Sequence, residues 1–188
     1  MDDQYYIFDC GASPIVTLHC IGDACPESSW IDGVLITCDV HKPFRVRTRS
    51  GHEYKMLEFY SDDMAMRADL VEALREAGVD NLQAYDLIIN KESGEEITNY
   101  KVVNIIGVVS AVDYGKTTFN PDNPSRFIDA SIDSLAIDPH KASGLLMFRL
   151  KESITTILIH ASIKQYLEAR RDQFPYLNFT EPKDYKCL

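Results

Sequence analysis

Over most of the chain, apolar residues fall in short alternating or β-branched runs, the pattern of strands rather than long helices. Tyr5-Tyr6-Ile7-Phe8, Ile15-Val16-Thr17-Leu18 and Val34-Leu35-Ile36-Thr37 read as strands, punctuated by Gly11, Pro14, Gly22, Pro26 and Gly33. Residues 44–60 continue as strand or extended chain. Strands are predicted over Leu82–Asn90 and Ile97–Val103, joined by a hairpin turn at 91–96 around Ser93-Gly94. Residues 105–112 stay apolar and β-branched. The Asn- and Pro-rich stretch 119–126 is a loop. Strands are expected again at 127–137, 145–150, 154–159 and 176–179.

Two stretches switch to helical spacing. Leu70, Leu74 and Ala77 share one face; Asp69 suits the N-cap, with Glu72 three positions on and Gly78 as the stop. A second helix is expected from Ser162, with Gln165 three later and Ile163 and Leu167 on its inner face. Two such helices cannot cover both faces of a large sheet. The expected class is therefore α+β, a mixed, mainly antiparallel sheet with two segregated amphipathic helices. Asp69-Leu70-x-Glu72-x-Leu74 parallels Ser162-Ile163-x-Gln165-x-Leu167, each between extended segments. This reads either as a strand–helix–strand pseudo-repeat around 64–90 and 154–180 or as two instances of a common capping sequence. With 188 residues, the chain suits a single domain, 1–188.

Charge narrows the function classes. The net charge is −10, which disfavours direct nucleic-acid binding and favours a basic partner. Residues 62–96 hold ten acids against three bases, a net of −7. Asp62, Asp63, Glu72, Glu76, Glu92, Glu95 and Glu96 are the candidate partner-binding residues of this segment. The alternative is a plainly solvated surface. No apolar run reaches membrane-spanning length. The acidic start, Met1-Asp2-Asp3, lacks the features of a signal peptide. With five cysteines and no CxxC, the expectation is a cytoplasmic protein with reduced thiols.

Candidate chemistry is sparse. No phosphate-binding loop, dinucleotide fingerprint, H-E-x-x-H or G-x-S-x-G occurs. His19, Cys20, Cys25, Cys38 and His41 cluster in sequence, but only Cys38-x2-His41 has zinc-like spacing, so buried cysteines are the expectation. Asp129 and Asp133 would share one face of a strand, with Asp138 nearby, as in a metal-carboxylate hydrolase. No histidine or lysine at motif spacing accompanies them, and solvated acids at a strand edge are expected instead. Cys10-Gly11 has no recognisable base. The sequence thus predicts no catalytic residue, no cofactor and no metal: a binding protein, not an enzyme.

An ordered series of motifs adds a family. Trp30-Ile31-Asp32-Gly33 is followed by the capped helix and Ala77-Gly78-Val79-Asp80-Asn81-Leu82. Then come Tyr100-x-x-x-Asn104, Ile106-Gly107-Val108-Val109-x-x-Val112-Asp113, Leu146-Met147-Phe148-Arg149 and the second helix. From about Trp30 to Pro182 this order resembles the bacterial polymorphic-toxin immunity proteins, family eleven of that classification. The resemblance implies a small cytoplasmic α+β protein that binds and neutralises a cognate antibacterial toxin, in several cases a nuclease with a basic surface. The motif residues Trp30, Gly33, Tyr100, Asn104, Asp113, Phe148 and Arg149 read as structural rather than as toxin contacts, with Trp30, Tyr100, Asn104, Phe148 and Arg149 in core packing or buried hydrogen bonds. A metal-carboxylate hydrolase and a structural or adaptor subunit of a secretion-related assembly are the competing readings.

Overall fold

Two strands run directly into two helices, and these junctions organise the fold. The computed structural model describes residues 4–10, 18–20, 32–37, 44–48, 56–61, 63–123 and 125–185, with backbone alone for 18–20 and 46–48. The chain opens with β1 (Tyr5–Cys10), β2 (Leu18–Cys20), β3 (Phe44–Thr48), β4 (Phe59–Tyr60) and β5 (Ala65–Arg67). Helix α1 (Ala68–Glu76) and the hairpin β6 (Leu82–Asn90) and β7 (Glu96–Ile105) follow. Short strands β8 (Val108–Val109), β9 (Thr118–Phe119) and β10 (Ile132–Ser134) lead to β11 (Met147–Leu150) and β12 (Ile157–His160). The chain ends with α2 (Ala161–Glu168) and β13 (Leu177–Thr180).

The strands form a five-stranded sheet, β13-β1-β12-β11-β8, a six-stranded sheet, β2-β3-β6-β7-β5-β4, and the pair β9-β10. Among the described residues only β3–β6 and β8–β11 pair in parallel. The architecture is α+β with mainly antiparallel sheets, as the periodicity predicts. One core joins both sheets and both helices through Phe8, Phe59, Met66, Leu70, Leu74, Met147, Ile159, Ile163 and Leu167. Phe8 stacks on Phe59 at 5.3 Å across the two sheets. A second core sets Tyr5, Ile7, Phe148, Leu150 and Leu158 against Ala111, Val112, Ala130, Ile132 and Leu135. Strands β1 and β12 are thus buried on both faces, each buried Leu or Ile contributing about 1.5–3 kcal/mol.

The two strand–helix–strand segments share one topology. In the first, β5 and β6 lie parallel with β7 inserted between them, giving β4-β5-β7-β6. In the second, β12 and β13 lie parallel with β1 inserted, giving β11-β12-β1-β13. The inserted strand β7 follows β6 directly, whereas β1 comes from the opposite end of the chain. Equivalence extends to single residues. Arg67 N–H donates to Glu58 O at 2.8 Å and His160 N–H to Leu146 O at 2.9 Å. Arg67 pairs with Tyr100 and His160 with Tyr5. The Tyr100 hydroxyl donates to Leu57 O, the Tyr5 hydroxyl to Ala142 O and Leu145 O. Leu57 and Leu145 each stand two residues before the first strand of their unit.

Several local expectations are corrected. Helix α1 begins two residues early: Arg67 is the N-cap and offers no side-chain cap. Asp69 lies in the first turn, where its carboxylate meets Arg67 Nε at 2.6 Å and accepts from Gln173. Helix α2 is capped by His160, whose Nδ1 accepts from Ser162 N–H at 3.2 Å, so Ser162 sits inside the helix. In both cases the preceding strand stays paired up to the residue before the helix, which leaves no room for a separate capping residue. Val34–Thr37 is not a strand. Within 127–137 only Ile132–Ser134 is strand, and Ile128 adopts φ +69°. Ile154 lies in a turn before β12. The expected strand at 15–17 lies outside the described residues.

Candidate functional site

The candidate contact residues sit on two well-anchored elements. Helix α1 buries Leu70, Val71, Ala73 and Leu74 and so turns Glu72 and Glu76 to solvent. Glu72 pairs with Arg75 at 2.8 Å, and Glu76 accepts from the Tyr166 hydroxyl of α2 at 2.7 Å. That bond raises the Tyr166 pKa. The hairpin turn closes through Gly94 N–H to Lys91 O and Lys91 N–H to Glu95 O, with Gly94 at φ +87° where a side chain would be strained. It exposes Glu92, Glu95 and Glu96. Glu95 pairs with Lys91, and Glu96 with Arg45 of β3, each at 2.8 Å. Asp63 is half-buried, and Asp62 lies outside the described residues.

These acids do not converge. The chain leaves α1 and enters β6 at Leu82, while the hairpin turn follows Asn90 at the far end, about 25 Å along an extended strand. The sequence-continuous charge therefore divides into a helix patch and a hairpin patch. The pairs at each are exposed and worth about 0–1 kcal/mol, so their bases can give way to those of a partner.

The motif residues lie within the frame. Gly33 has φ +65°, and a Cβ there would stand 2.6 Å from Val108 Cγ2. Gly33 O accepts from Gly107 N–H at 2.9 Å. From Gly33 the segment runs as a strap fastened by side chains. Asn104 Nδ2 donates to Val34 O, Gln83 Nε2 donates to Ile36 O and Gln83 Oε1 accepts from Ile36 N–H, all at 2.8 Å. Ile36 is buried, whereas Val34 and Leu35 are more than half exposed. Tyr100 is buried, with desolvation raising its pKa. Phe148 packs edge-on against Tyr5 at 5.3 Å. Arg149 is fully buried; its Nη1 donates to Ile154 O at 3.0 Å, and its Nη2 contacts Met64 Sδ. Burial lowers the Arg149 pKa to about 10 against the opposing charge of Asp32. Asp113 closes a turn with Gly115 N–H and Lys116, whose hydrogen bond lowers its pKa. Trp30 lies outside the described residues.

The carboxylate arrangement of a hydrolase is not formed. Asp129 and Asp133 do not share a strand, because Ile128 breaks the extended run and only Asp133 lies in β10. Asp129 accepts from Ser125 Oγ at 2.8 Å. Among the described residues no group of three or more His, Cys, Asp or Glu side chains is placed to hold a metal ion. Cys25, Cys38 and His41 lie outside them. Burial raises the Cys10 thiol pKa to about 12, with the neighbouring Glu58 carboxylate, 3.7 Å away, also raising it.

Other polar groups carry no sequence signature. Glu58 and Glu152 are buried; Glu152 Oε1 accepts from Ser110 and Tyr114 hydroxyls. Asp9 Oδ1 is shielded from solvent and has no hydrogen-bond partner among the described residues. A groove of about 350 Å³ beside β13 is lined by Glu168, Arg171, Leu177, Asn178 and Phe179. No helix among the described residues is long and apolar enough to cross a membrane. The chain matches no protein-family model and no curated protein.

Proposed function

We propose that this chain is a cytoplasmic immunity protein. It binds a cognate antibacterial toxin with a basic, nuclease-type surface and neutralises it. The observation that carries the reading is the exposure of the acids of segment 62–96 on elements held by buried faces: Glu72 and Glu76 on α1, Glu92, Glu95 and Glu96 on the hairpin. Such acids are presented without first having to be ordered, which reduces the entropic cost of association. Net charge of −10 steers a basic partner toward the surface before contact. Two separate acidic patches favour clasping a convex basic domain at two points. The ordered motifs from Trp30 to Arg149 support the family.

The chain acts by occupancy in this reading. The carboxylates exchange Arg75, Lys91 and Arg45 for toxin lysines and arginines and cover the surface that would hold nucleic-acid phosphates. Co-expression with the toxin encoded by the adjacent gene tests it. Rescue of growth, with a one-to-one complex whose association rate falls as salt rises, is expected. Unrestored growth together with no complex by calorimetry sinks the proposal.

A further inference from the structure

Two large apolar side chains, adjacent in sequence, stand outside both cores. Phe127 is 55% and Ile128 63% exposed. Ile128 also holds φ +69°, a left-handed backbone that a β-branched residue adopts only under strain. Pairing with the turn after β11 imposes it. Ile128 N–H donates to Lys151 O, Ile154 N–H to Ile128 O and Ala130 N–H to Glu152 O, all at 2.9 Å. Glycine would make this bend without strain, and asparagine or aspartate with less. The isoleucine side chain therefore destabilises the bend and gains no deep burial within the chain. Strained residues of this kind are found where the strain serves a contact.

We propose that Phe127 and Ile128 form the centre of a twofold interface with a second copy of this chain. The charges beside them select that occupant. Lys151 Nζ lies over the Phe127 ring, 5.8 Å from its centroid, and Asp129 follows Ile128. Both are exposed. Among the described residues Lys151 has no carboxylate partner and Asp129 no cationic one; the Asp129 carboxylate accepts from Ser125 Oγ at 2.8 Å. The apolar pair is thus flanked by a cation and an anion that do not pair with each other. In a twofold contact residue i meets j and j meets i, so Lys151 of each copy meets Asp129 of the other while the apolar side chains close over one another. A partner of single sign would set one of the two against like charge. Two chains of net −10 repel, and they meet most readily where the surface is apolar and locally neutral. This patch is both: the charges of Asp122, Arg126, Asp129 and Lys151 sum to zero.

This interface uses none of the acids assigned to the toxin above and is tested without one. Sedimentation velocity of the full chain, reduced and in about 0.15 M salt to screen its charge, should show a monomer–dimer equilibrium between about 1 and 300 µM. Ile128→Gly should weaken the dimer about tenfold or more and leave the thermal midpoint of the monomer unchanged or higher, since glycine accepts φ +69°. Lys151→Asp and Asp129→Lys, both at exposed positions, should each weaken self-association about tenfold. An equimolar mixture of these two variants should recover the original affinity, because both pairs across the interface are then of opposite sign. A chain that stays monomeric over this range overturns the proposal. So does a dimer indifferent to Ile128→Gly, a midpoint lowered by Ile128→Gly, or a mixture no tighter than either charge variant alone. A monomer whose toxin complex is lost in Ile128→Gly assigns the apolar pair to the toxin and overturns it too. Dimerisation with no toxin complex would sink the toxin reading alone.

Discussion

Three residues show how far single positions constrain the molecule. Gly33 combines left-handed backbone with a missing Cβ that Val108 and Gly107 leave no room for. Gly33→Ala is expected to cost about 2–3 kcal/mol through strain and overpacking together, read as a lower urea midpoint. Asp9 gives a pH signature. Its folded pKa is raised above the ordinary 3.8 by burial, so the folded chain holds this proton more tightly than the unfolded chain. Its contribution therefore favours folding below that window, declines as pH rises from 3.8 through the raised folded value, and stays unfavourable above it. Asp9→Asn should raise the urea midpoint at pH 7 and remove that part of the slope; an unchanged slope would show that the carboxylate does not titrate in this way. Asp69 has the opposite sign. Burial pushes its pKa up, but the bond and charge of Arg67 outweigh that and leave it lowered, so its contribution is present at neutral pH and fades on acidification.

At the scale of elements, the hairpin and the helix can be tested separately. Reversing Glu92, Glu95 and Glu96 to lysine should slow association with the proposed basic partner about tenfold and flatten its salt dependence. The midpoint of unfolding should move little, since the exposed pairs with Lys91 and Arg45 contribute little. Glu72→Lys with Glu76→Lys should act independently, because patches this far apart couple weakly. Stopped-flow rates of the combined variant decide the matter: purely additive losses fit two contact points, and a silent helix patch leaves the hairpin alone.

Elements governed by local periodicity were also the legible ones. Strand β6 and its turn follow from alternation and Ser93-Gly94, and the buried face of α1 from the spacing of Leu70 and Leu74. Val34–Thr37 looks like a strand because it is β-branched, yet its backbone is held by the side chains of Gln83 and Asn104 from distant segments. Nothing local announces that. The same limit hid Asp9 and Asn178, whose meeting depends on pairing the first strand with the last. The acidic segment was visible in the composition, but its division into two patches follows from the length and direction of β6.

At the scale of the whole molecule two four-stranded units share one topology, with β1 standing in one where β7 stands in the other. If that equivalence governs folding, the place of β1 ahead of β2 in the chain is one choice among several. A loop from Tyr185 to Gln4, with the chain opened at the exposed turn Pro121–Asp122, places β1 directly after β13 as β7 follows β6. This permutant should fold cooperatively and keep its partner affinity, because such turns tolerate new termini. Loss of a single sharp unfolding transition would show that β1 must come first in the chain.

That placement also sets a timetable for the newborn chain. Strand β1 leaves the ribosome well before its neighbours: it pairs with Ile159, Leu158 and Phe179, which are made about 150 residues later or more. At about 5–20 residues per second it waits on the order of ten seconds or more with an apolar strand uncovered. During that interval the β4–β7 unit can close and the second unit cannot. A transcript cut short before α2 therefore yields no partial version of the second unit, which forms only once β13 is released.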